Sequence, residues 1–147
     1  MKKFYLVLAI LCGLTHANED SDKLFGDTKI SLPCDLNTAS CISNAGGESA
    51  SFAIIPAPIV AMSESEVVVS GILRELKNPT LKIKGISMNM GNFESPLVRF
   101  NDGSYHAKIM VAACHSPIMR YKLEIFENGE STGHFIYFDL RKTPKHK

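Results

Sequence analysis

Two stretches in the C-terminal half alternate apolar and polar residues without a break. In "SYHAKIMVAAC" (104–114), Tyr105, Ala107, Ile109 and Val111 fall on one side, opposite His106, Lys108 and Met110. In "MRYKLEIF" (119–126), Met119, Tyr121, Leu123 and Ile125 oppose Arg120, Lys122 and Glu124. A period of two is the pattern of a β-strand with one buried face, and it is incompatible with an amphipathic helix. Asn128-Gly129 then predicts a tight hairpin turn into "HFIYFDL".

The first half carries weaker versions of the same signal. "TKISLP" predicts a short strand ending at Pro33, "ESASFAIIP" a second and "EVVVSGILREL" a third. "PAPIV" (56–60) forces extended backbone without ladder donors, so it is expected at a sheet edge or a crossover. Asn78-Pro79 turns the chain into "TLKIKGISMNM". No helix is expected after the N-terminal segment. Seven or eight short strands in one domain predict an all-β fold, a single antiparallel immunoglobulin-like β-sandwich over residues 29–141.

The N-terminus, "MKKFYLVLAILCGLTHA", has two lysines, an apolar run from Phe4 to Leu14 and a small residue at Ala17. That layout predicts an export signal peptide cleaved after Ala17, hence a periplasmic protein. The apolar run is shorter than the roughly 20 residues of a spanning helix, so no stable membrane anchor is expected. Residues 18–28 read as an acidic, flexible lead-in, and 142–147 as a basic tail. Cleavage would leave 130 of the 147 residues, and losing Lys2 and Lys3 leaves 14 basic side chains against 15 acids, a net charge of −1. Nothing in that balance predicts a nucleic-acid surface.

Three of the four cysteines follow the expected export segment: Cys34, Cys41 and Cys114. Cys34 and Cys41 bracket a small polar loop, and their pairing is expected to contribute roughly 2–3 kcal/mol. Cys114 is then free, whereas a bridge from Cys114 to either of them would remove it as a ligand.

Two motifs carry soft donors. In "GISMNMG" (85–91), Met88 and Met90 lie two apart, and the apolar parity changes near Lys84-Gly85. A bulge at Gly85 would set both thioethers on one face with Ile86. As core residues they fill gaps; as ligands they suit Cu(I). In "ACHSPIM" (113–119), Cys114, His115 and Met119 surround a Ser116-Pro117 turn, the alternative being a buried thiol with Met119 in the core. If both motifs reach one pole, Met88, Met90, Cys114, Met119 and His115 supply a Cu(I) site. No finger-like Cys/His spacing suggests zinc.

"GISMNMG" followed by "CHSPIM", behind an export segment and a "PAPI" strand, resembles small exported bacterial proteins. It is similar in style to the periplasmic copper-handling sandwiches, the CopC-like and FixH/YtkA-like domains. The likeness spans roughly residues 48–140 and implies methionine ligation at Met88 and Met90, with Cys114 beside them. The chain departs from those proteins in lacking a histidine at the expected mature N-terminus and a membrane anchor.

No G-x-S-x-G, CxxC or phosphate-binding loop is present, and His106 and His134 read as structural, so no enzyme is expected. Two functions are in play. One is a periplasmic Cu(I)-binding or copper-delivery protein, its partner a copper-accepting or envelope protein. The other is an exported, metal-free interaction module that binds its partner at a sheet edge near Pro56–Pro58.

Overall fold

A computed structural model describes residues 16–142. The expected export segment as far as Thr15, and the tail beyond Lys142, lie outside the described residues. The described chain folds as a β-sandwich of two antiparallel sheets.

One sheet has the order β1-β2-β3-β7-β6, from β1 (Cys41–Ala45), β2 (Glu48–Ile55), β3 (Glu64–Ser70), β6 (Val98–Arg99) and β7 (Tyr105–Met110). The other has the order β5-β4-β8-β9, from β4 (Pro79–Gly85), β5 (Asn92–Pro96), β8 (Ile118–Glu127) and β9 (Glu130–Arg141). Strands β2-β3-β7-β6 take the ABED places of an immunoglobulin-like sandwich and β4-β8-β9 the CFG places. The core lies between the sheets: Phe52, Val67, Val69 and Tyr105 face Leu81, Leu123, Ile125 and Phe138. Asn128 and Gly129 both take positive φ, as the predicted hairpin between β8 and β9 requires.

Several expectations are corrected. The strand expected to end at Pro33 is a series of turns, and β1, β5 and β6 have no counterpart in the alternation. The third predicted strand stops at Ser70, because Gly71 has φ 92° and a Cβ there would lie 2.5 Å from the Ser49 carbonyl oxygen. The "PAPIV" stretch is neither an edge nor a crossover between sheets. It is a loop joining β2 to its direct neighbour β3, exposed except for Ile59, which is buried in the core. The cystine does form between Cys34 and Cys41, leaving Cys114 as a free thiol.

The larger correction concerns the lead-in. Residues His16–Phe25 form a helix, α1, that lies on the outer face of the β4-β8-β9 sheet. Asp22 accepts a hydrogen bond from the Tyr137 hydroxyl at 2.7 Å and pairs with Lys122 at 3.0 Å. Phe25 packs on the Tyr137 ring, with centroids 5.0 Å apart. Arg120, 1 % exposed, spends Nε and Nη2 on Asp139 and donates Nη1 to the carbonyls of Phe25 and Asp27. The end of α1 is thus held by a buried guanidinium, where cationic donors suit the helix's open carbonyls.

Candidate functional site

The β4–β5 hairpin encloses "GISMNMG" as its loop, with Lys84 paired to Asn92 across its base. The ladder between β4 and β8 runs unbulged to Gly85, which faces Tyr121. The chain then leaves the strand: Ile86 donates its N–H to the Arg120 carbonyl at 2.9 Å, and the Ser87 hydroxyl accepts the Arg120 N–H. Asn89 Oδ1 accepts the Gly91 N–H, and Gly91 takes φ 78°, which turns the backbone over.

Gly85 is required for this fold-back rather than for the expected bulge. A Cβ on it would sit 2.7 Å from the Met88 carbonyl oxygen and 3.3 Å from Met90 Cβ. Turn chemistry therefore overrides alternation, and the two thioethers part company. Met90 lies over Gly85, partly buried against the core. Met88 is 41 % exposed and lines a separate hollow beside Asp22, Lys23 and Gly26.

The second motif is the loop from β7 to β8, residues 111–117. The Tyr121 hydroxyl reaches back to donate to the Ala112 carbonyl, the tie between strand F and its preceding loop seen in immunoglobulin-like domains. Met119, 1 % exposed and on the same buried face as Tyr121, accepts the Cys114 N–H on its sulfur at 3.1 Å. The Cys114 side chain is partly buried against the core. Burial, and secondarily the negative charge of an ionised Cys114, push the Tyr121 phenol up from its ordinary pKa. His115 is exposed, and its carbonyl accepts from Lys142 Nζ at 3.0 Å.

Tyr121 is thus a common neighbour. Met90 sits on the glycine paired with it, the Tyr121 hydroxyl reaches Ala112 in the loop that bears Cys114, and Met119 precedes it by two residues on its own face. Of the five residues singled out in the sequence, Cys114 and Met119 are in contact and Met90 packs by Gly85, while Met88 lines a separate hollow and His115 is exposed. Among the described residues, no three His, Cys, Asp or Glu side chains gather as a metal site.

A second constellation escaped the sequence reading. Ser104 Oγ lies 2.8 Å from His106 Nε2, and His106 Nδ1 lies 3.1 Å from Glu66 Oε1, a hydroxyl, an imidazole and a carboxylate in file. Two details take it away from nucleophilic chemistry. Ser104 donates to Asp102 Oδ1 at 2.6 Å, and that bond, the largest cause, holds the Asp102 carboxyl below its usual range. Nδ1 makes no hydrogen bond with Glu66, and Phe100 stacks on the imidazole at 3.8 Å. The group locks the turn before β7.

No family model, curated protein or solved structure matches the chain.

Proposed function

We propose that the chain is a Cu(I)-binding protein of the periplasm that carries or delivers copper through Met90, Cys114 and Met119. The observation behind this reading is that the residue bearing the free thiol, Cys114, donates its backbone N–H to the buried Met119 sulfur, with Met90 partly buried against the same core. One thiolate and two thioethers form a soft donor set suited to a d¹⁰ cation, and they offer little to magnesium or calcium. The Met119 sulfur retains a second lone pair after accepting the Cys114 N–H. Uptake displaces the thiol proton, so affinity rises with pH.

Titration of the purified chain with Cu(I) against bicinchoninate under reducing conditions tests the reading. One equivalent should bind, Cys114→Ser should abolish binding, and Met90→Leu should weaken it. Met88→Leu should leave it unchanged. No uptake, or uptake indifferent to Cys114→Ser and Met90→Leu, sinks the proposal.

A further inference from the structure

Met119 lines a hollow of about 230 Å³ together with Val60, Ala113 and Ser116, so this opening leads to the loop that bears Cys114. A larger hollow of about 590 Å³ adjoins it, and Val60, Arg141 and Lys142 line both. Val60 is 51 % exposed, and nearby Met62 is 67 % exposed. The result is an apolar groove with a cationic rim.

The rim cations are weakly neutralised. Arg141 lies 3.6 Å from Asp139 Oδ2, but that oxygen already accepts from Arg120 at 2.9 Å. Lys142 Nζ donates to a neutral carbonyl, that of His115. Asp35, the acid on the groove's wall, is turned onto Asn37.

Resting on the copper reading above, we infer that this groove docks an acidic protein partner that exchanges Cu(I) with the sulfur pole. An apolar side chain of the partner fills the hollow at Val60, while its carboxylates engage Arg141 and Lys142. A carboxylate is a stronger acceptor for an ammonium than a carbonyl is. Docking therefore draws Lys142 from His115 and loosens one tie on the loop of Cys114. Cu(I) passes from the partner's thioethers to the Cys114 sulfur as the thiol proton leaves to solvent, with no change in oxidation state.

Two synthetic donor peptides decide the matter, each holding Cu(I) on the same Met-x-x-Met pair, one flanked by glutamates and one by lysines. Stopped-flow transfer to the full chain should be faster from the acidic donor by about tenfold at low salt, with the gap closing as salt rises. Arg141→Gln with Lys142→Gln should abolish the preference, and Arg141→Glu with Lys142→Glu should reverse it, while equilibrium affinity for Cu(I) stays the same. Equal rates from both donors, or a preference that survives the charge reversal, overturn the docking surface while leaving the copper site standing. Absence of Cu(I) uptake at equilibrium overturns both.

Discussion

The two faces of β8 make opposite uses of burial. Outward, Arg120, Lys122 and Glu124 are 1 %, 4 % and 8 % exposed, yet their charges are spent on one another and on neighbours. Arg120 grips Asp139, while Lys122 lies 3.0 Å from Asp22 and 3.1 Å from Glu124 and over the Phe135 ring. Inward, Met119 and Tyr121 belong to the apolar core, and at its end a thiol is left unbonded to another sulfur. The outer face contains more polar chemistry but binds α1 with it. The inner face has little, a phenol tied to Ala112 and a thioether tied to the Cys114 N–H, beside a thiol outside any disulfide.

The sharpest way to break this contrast is at Arg120. Arg120→Leu leaves Asp139 buried without its partner and removes the hold on the end of α1, and should cost about 3–5 kcal/mol in urea unfolding. If the loss is under about 1 kcal/mol, the outer face is not a structural anchor. Asp22→Asn should cost less, about 1–2 kcal/mol, because Lys122 keeps Glu124. Limited proteolysis should then cut within α1 while the sheets stay intact.

On the inner face, Tyr121→Phe deletes the tie to Ala112 for about 1 kcal/mol. Labelling of the Cys114 thiol should accelerate as its loop loosens, whereas Asp22→Asn should leave that rate alone. A control at the far end of β8 is Glu127, whose carboxyl is held low first by the Lys77 N–H and then by Arg74. Because the folded pKa is depressed, its contribution is present above the ordinary carboxylate range and is lost as pH falls through the folded value. Glu127→Gln should therefore lower stability at neutral pH, and the difference from the parent should vanish in acid.

The inner face of β8 was legible because alternation reports which residues face the core. The outer face was not, since Arg120, Lys122 and Glu124 carry the charges expected on a solvent-facing side. What buries them is α1, from a segment whose acidic residues read as solvated lead-in; the match between Asp22 and Lys122 exists only in three dimensions. Cys34 and Cys41 were legible because their spacing is local. Met88 and Met90 were misplaced for the converse reason: Gly85, Asn89 and Gly91 are turn residues, and a strand was extended through them. Of the soft donors, the Cys114–Met119 contact follows from their nearness in one loop, whereas Met88 was separated from Met90 by the turn.

The position of the cystine along the chain also sets an order of events. Synthesis proceeds from the N-terminus, and Cys114 follows Cys41 by 73 positions. Closing a short loop is fast and entropically cheap compared with joining distant residues. Cys34 and Cys41 therefore stand as a nearby pair before Cys114 has been made. Chain order thus protects Cys114 from mispairing without any contact in the finished fold.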